Sequence, residues 1–249
     1  MSRNFELLQK AEKAEQIFQS LLEGAGSWEG KRPQPQLSTR GPEQEEVNKL
    51  VHRVFALRDT PGPRVVVFTG VRNGDGCAGI CAKAAQALAA RATGTVCVVD
   101  ANFRSPSLHK FFNVSDLEGF ADGILHSGAI RTLASRVAAS NLWLLPCGSG
   151  GVSQATLATA DHLTLRIKEL REEFDYVLMN LPAADRYSDA AVLGRLADGV
   201  ILVVEANSTS REVIQKIKQD LDAAEVRLLG AVLNNRTLPI PQGIYDWLK

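Results

Sequence analysis

Six short apolar runs, separated by longer stretches of helical periodicity, restrict what this chain can fold into more than any other feature. The runs are RVVVFT (64–69), TVCVVD (95–100), LWLLP (142–146), DYVLMN (175–180), GVILVVEA (199–206) and LLGAVLN (228–234). They are apolar at consecutive positions rather than at every second one, which suits strands covered on both faces. Strands of that kind alternating with helices predict an α/β domain with a doubly wound, mostly parallel sheet flanked by helices. The 249 residues suffice to bury such a core.

Before the first run, Phe5, Leu8, Ala11, Ile17, Phe18, Leu21 and Leu22 are spaced as on one face of a helix, so residues 1–24 are predicted to form an N-terminal amphipathic helix. Residues 25–43, rich in Gly and Pro, read as a flexible linker. The α/β domain is placed at 44–238 and includes a leading helix bearing Val47, Leu50, Val51, Val54 and Phe55 on one side. Residues 239–249 read as a tail with prolines and aromatics, in which Tyr245 and Trp247 pack back on the domain, dock a partner or touch a membrane surface.

The 28 basic and 28 acidic residues cancel, so no net field draws the chain to nucleic acid or anionic lipid. No apolar run is long enough to span a bilayer and the N-terminus has no signal-type core, so no direct membrane span and a cytoplasmic location are expected. Cys77, Cys81, Cys97 and Cys147 lack a CxxC pairing and read as reduced thiols. Cys77 and Cys81 share a helix face, but no second ligand pair accompanies them, and no metal site is assigned.

Ligands of parallel sheets sit beyond the carboxyl ends of the strands. The segment VVVFTGVRNGDGCAGICAKAAQALA (65–89) reads as strand, Gly-containing turn and helix, the arrangement that holds a phosphate on free N–H groups. A full phosphate loop, G-x-x-x-x-G-K-[ST], adds a lysine for the β/γ oxygens and a hydroxyl for Mg²⁺. Here Val71 stands at the first glycine position, Cys77 at the lysine and Ala78 at the hydroxyl. Arg72, Asn73, Gly74, Asp75, Gly76, Cys77 and Ala78 are therefore the candidate phosphate-binding residues of a loop without its ammonium. Arg72 matches the signature lysine of the deviant loop KGGxGK[ST] and reads either as a phosphate ligand or as a solvated arginine.

Taken in order, these segments resemble the bacterial tyrosine kinases (BY-kinases) of capsule and exopolysaccharide synthesis, members of the ParA/MinD-type P-loop ATPases, over roughly 43–249. VCVVDANFRSPSLHKFF is similar to that family's second acidic motif, D-x-D-x-R-x-P-x-L-H, with Asp100 and Arg104 retained and Asn102 in place of the second aspartate. DYVLMNLPA is similar to its third, with Asn180 in place of the aspartate. LLGAVLNNRTLPIPQGIYDWL is similar to the closing segment of exopolysaccharide members, and the resemblance makes Asn234 a base-side candidate. What it implies is a P-loop NTPase-like fold with an N-terminal helical extension, ATP or ADP with Mg²⁺ as the ligand, and a membrane-embedded polysaccharide co-polymerase as the partner. It also implies a homo-oligomer through the leading helix and a peripheral position at the inner face of the membrane.

The departures fall on the chemistry, because an amide keeps a carboxylate's size but lacks the charge a hard cation needs. Asp100 is the one retained carboxylate and the sole catalytic candidate; as it ends a strand, a helix-cap role stands beside that one. His109 reads as a base paired with Asp100 or as a packed histidine. The expectation is a degenerate BY-kinase-like regulator or scaffold of exopolysaccharide assembly or export, retaining weak nucleotide binding at most. The alternatives are an active tyrosine kinase or ATPase using Arg72 and Asp100, and a ParA/MinD-like spatial organiser.

Overall fold

The structure, a computed structural model, describes residues 42–55, 62–126, 128–138, 140–148 and 161–235. The predicted helix at 1–24, residues 25–41 of the predicted linker and the tail at 239–249 lie outside these residues, while the linker's last two residues, Pro42 and Glu43, begin the first helix.

The described chain runs α1 (Pro42–Phe55), β1 (Val65–Gly70), α2 (Cys77–Ala89), β2 (Val96–Asp100), α3 (Leu108–Phe112), α4 (Phe120–Leu125) and a 3-10 turn (Ile130–Leu133). It continues through β3 (Ser135–Arg136), β4 (Leu142–Leu145), α5 (Asp161–Glu173), β5 (Tyr176–Leu181), α6 (Asp189–Leu196), β6 (Gly199–Glu205), α7 (Arg211–Ala223) and β7 (Leu228–Asn234). The seven strands form one sheet in the order β3-β4-β2-β5-β1-β6-β7. Every pairing is parallel except β3 with β4.

The predicted mostly parallel sheet is thus present, and its burial explains the continuous apolar runs. Successive residues of β1 point to opposite faces. Val65 and Val67 enter the core under α5, α6 and α7, whereas Val66 and Phe68 enter the core under α1 and α2. All four are fully buried, so neither parity can be polar. Strand β3 carried no sequence signal: two polar, exposed residues have no apolar pattern to read.

Helix α2 buries Cys81, Ala82, Ala84, Ala85, Ala87 and Leu88, a mostly small-residue face that lets it lie close on the sheet. Helix α1 packs on α2, with Lys83 Nζ 2.6 Å from Glu43 Oε2 and the Phe55 ring edge-on to Tyr176 at 5.9 Å. At the amino end of the sheet, Asp198 accepts the N–H groups of Arg64 and Val65 at 2.7 and 2.8 Å and pairs with Arg171 at 3.0 Å. The Arg64 guanidinium in turn donates to the carbonyls of Arg171, Phe174 and Asp175 that end α5. The amino end is therefore tied shut, and the polar loops gather at the opposite, carboxyl end.

Candidate functional site

The loop from Val71 to Gly76 joins β1 to α2 and is held from several sides. Val71 N–H donates to Val203 O at 2.9 Å, and the Ala184 and Asp185 N–H groups donate to Gly70 O and Val71 O at 2.9 and 3.1 Å. Thr69 Oγ1 donates to Pro182 O at 2.7 Å. The loop after β5 thus clamps the loop after β1. Gly74 and Gly76 take φ of 101° and 76°, left-handed values that favour glycine. Gly76 caps α2 without any side chain accepting its first N–H groups. The anion-facing end of a helix is therefore formed as the glycine pattern predicts.

Asn234 fixes the same turn. Its Nδ2 donates to Asp75 O at 2.9 Å, and it lies against Gly76 so closely that a Cβ there would overlap it. The resemblance made Asn234 a base-side residue; the structure places it beneath the loop as a tether. Thr69 is a tie that the sequence reading did not single out, since a lone hydroxyl carries no pattern.

Charge around the loop is mostly negative. Asp75 is 1% exposed; its Oδ2 accepts the Arg72 N–H at 2.8 Å, while Oδ1 has no partner among the described residues. Burial raises its carboxyl above the ordinary range, and nearby Glu205 adds to that. Cys77 begins α2 between Asp75 and Asp100, and burial, then those two carboxylates, push its thiol far up. At neutral pH Cys77 is an uncharged thiol. The Arg72 side chain reaches across to donate to Ser208 O at 3.3 Å, linking this loop to the one after β6. Asn73 and Ala78 fall in the same loop and at the first turn of α2.

Asp100 ends β2 directly beside Asn180 of β5. It is fully buried and accepts four hydrogen bonds: Asn180 Nδ2 at 3.1 Å and Asn102 N at 3.2 Å on Oδ1, Ser107 N and Leu108 N at 2.8 Å on Oδ2. The last two head α3, so the carboxylate caps that helix. Burial raises its pKa against the pull of these bonds. Asn180 Oδ1 has no partner among the described residues. Asn102 instead folds onto its own loop, Oδ1 accepting Ser105 N at 3.1 Å.

The other residues of the second motif point elsewhere. Arg104 stacks over Tyr187, 3.9 Å from the ring centroid, with Nη2 3.8 Å from Asp189 Oδ2. It therefore joins the loops after β2 and β5. His109 Nδ1 lies 3.2 Å from Asp116 Oδ2, so its acidic neighbour is Asp116 rather than Asp100.

A Mg²⁺ ion needs charged or unshared oxygen ligands. Here both Asp100 oxygens already accept two N–H groups each, and the oxygens of Asn102 and Asn180 are uncharged. No group of three or more His, Cys, Asp or Glu among the described residues is placed to hold a metal. At this end of the sheet Asp75 Oδ1 and Asn180 Oδ1 are oxygens without a hydrogen-bond partner among the described residues.

Known proteins share this architecture. The sequence model of the family described as "Cellulose biosynthesis protein BcsQ" matches residues 64–232. Tyrosine-protein kinase YwqD of Bacillus subtilis is 27% identical over 143 residues, 57% of this chain and 60% of that kinase. The chain thus spans about three fifths of the first curated relatives it matches. The putative tyrosine-protein kinase EpsB of Ralstonia nicotianae is 28% identical over 82% of this chain but only 27% of its own length. The solved structure of the chimerical protein CapA2B2 superposes with a TM-score of 0.74 at 22% identity, covering 81% of this chain and 88% of that one. Identity that low speaks for the fold alone. No helix among the described residues is long and apolar enough to cross a membrane.

Proposed function

This chain belongs to the family described as cellulose biosynthesis protein BcsQ, with bacterial tyrosine kinases among its relatives, and from that premise we propose that it serves exopolysaccharide assembly as a non-catalytic regulator or scaffold. The observation that carries this reading is the head of α2. An uncharged thiol, Cys77, stands where an active phosphate loop presents its ammonium, and the two nearest carboxylates are buried, one of them engaged as a helix cap. Losing one preorganised electrostatic group costs about 10²–10³ in rate. Here the ammonium, the hydroxyl and two of the three expected carboxylates are replaced together by Cys77, Ala78, Asn102 and Asn180.

The partner this reading calls for is a membrane-embedded polysaccharide co-polymerase. In EpsB a domain like this one forms 27% of a longer chain. A separate protein supplying such a remainder would give this chain its place at the membrane. Residual nucleotide contact would rest on the free N–H groups at Gly76 and on Arg72, which is tied to Ser208 O.

Calorimetric titration with ATP and ADP, with and without Mg²⁺, tests this. Absence of heat up to millimolar nucleotide, with an unchanged melting temperature, is the expected result. Micromolar Mg²⁺-dependent binding, or turnover that Arg72→Ala abolishes, would sink the reading and restore an active ATPase or kinase.

A further inference from the structure

Asn73 and Gly74, in the loop between β1 and α2, are the one Asn-Gly pair in the sequence. Asparagine is a heat-labile residue, and the residue after it sets how labile. The backbone nitrogen of that next residue attacks the side-chain amide carbon, and glycine hinders the attack least because it has no Cβ. Among the described residues no hydrogen bond holds the Asn73 side-chain amide or the Gly74 N–H. Both residues are exposed. Gly74 takes a φ of 101°, and no atom beyond its chain neighbours lies within 4 Å of the place where a Cβ would stand. Neither partner is therefore held back from the other.

Most other described asparagines are engaged. Asn141 Nδ2 donates to Ala92 O at 3.0 Å and to Gly94 O at 2.7 Å, and Asn234 Nδ2 donates to Asp75 O at 2.9 Å. Asn102 Oδ1 accepts Ser105 N at 3.1 Å, and Asn180 is 1% exposed. Asn207 is exposed, but the nitrogen that follows it belongs to Ser208, whose Cβ crowds the attack. The adjacent Asp75-Gly76 pair has an acid in the same pattern and is locked. Asp75 is 1% exposed, its Oδ2 accepts the Arg72 N–H at 2.8 Å, and Asn234 fills the space beside Gly76.

We propose that Asn73 is a site of spontaneous, non-enzymatic deamidation, with Gly74 as the attacking residue and water as the co-reactant. The Gly74 nitrogen bonds to Asn73 Cγ, the Cγ–Nδ2 bond breaks, and Nδ2 leaves with the Gly74 proton as ammonia. Water then opens the resulting succinimide. Cleavage at Cγ gives aspartate in an unaltered backbone. Cleavage at the Asn73 carbonyl gives isoaspartate, with the backbone routed through the side chain. Nothing is oxidised or reduced. Either product sets a carboxylate beside Arg72 in a loop that already holds Asp75, and like charge disfavours a phosphate there. Isoaspartate also adds a methylene to the turn that the Arg72 N–H and Asn234 tie down.

Incubation of the full chain at neutral pH, followed by trypsin digestion and mass spectrometry, tests this. Cleavage after Arg72 and Lys83 releases NGDGCAGICAK (73–83), in which Asn73 is the only amide side chain. That peptide is expected to gain the mass of an amide-to-acid exchange and to divide into two chromatographic forms. One form accepts a methyl group from protein isoaspartate methyltransferase. Conversion at Asn73 is expected to run at least tenfold faster than at Asn207 in the same sample. Because the 28 basic and 28 acidic residues balance, the added charge also separates the aged intact chain on anion exchange. Asn73→Gln, whose longer side chain closes the ring far more slowly, is expected to show none of these changes. A sample digested without incubation sets the background. Conversion no greater than that background, or no faster than at Asn207, would overturn the proposal. So would conversion of the excised peptide alone, since the folded loop would then protect Asn73.

Discussion

Asp100 shows how one residue can carry two expectations that only its partners separate. Its carboxylate holds the first turn of α3, the Asn102 backbone and the Asn180 amide together. Asp100→Ala leaves these buried donors without an acceptor and is expected to lower stability by about 2–4 kcal/mol in urea denaturation. A purely chemical role would leave stability unchanged. Asp198 gives a pH-dependent counterpart. Burial alone would raise its carboxyl, but Arg171 and the Val65 and Arg64 N–H groups outweigh burial and hold it below its ordinary 3.8. A carboxylate lowered in the fold stabilises above its unfolded pKa, and that contribution is lost as pH falls through the folded value. The stability gap between the protein and Asp198→Asn is therefore largest near neutral pH and narrows below about pH 4. Denaturation at pH 7 and pH 3 measures it, and a gap of constant size would contradict the ion pair.

At the scale of elements, the β1–α2 turn depends on a glycine for two reasons at once. Gly76 is left-handed, and Asn234, from the far end of the chain, occupies the space where a side chain would go. Gly76→Ala is expected to cost about 1–3 kcal/mol and to release Asn234 from Asp75 O, seen as faster exchange of the Asn234 side-chain amide protons. An unperturbed Asn234 would mean that the loop has slack. Strand–turn–helix was legible in VVVFTGVRNGDGCAG because its signals are local: an apolar run, then glycines, then a helical face. The Asn234 tether was not legible, since it joins residues 159 positions apart.

For the molecule as a whole, the question is whether the loop lacks only its ammonium and hydroxyl. Cys77→Lys with Ala78→Ser restores both on a turn already shaped by Gly74 and Gly76. The double variant is expected to bind ATP with Mg²⁺ at least tenfold more tightly than the parent in calorimetric titration. Phosphoryl transfer stays undetectable, because Asn102 and Asn180 remain uncharged. An unchanged affinity would mean that the negative surroundings of Asp75 and Asp100, rather than the missing lysine, exclude the nucleotide.

The sequence by itself determined the layered sheet and the absence of a lysine and a hydroxyl at the head of α2. Those follow from periodicity and from residue identity, which are properties of the chain. It also left Asp100 open between two roles, and His109 between a base paired with Asp100 and a packed histidine. Tertiary structure alone decided that Asp100 caps α3, that His109 lies beside Asp116, that Arg104 stacks on Tyr187, and that β7 comes last in the order of the described strands. Each of these depends on which distant segments meet, and partners brought together by packing leave no local pattern in the chain.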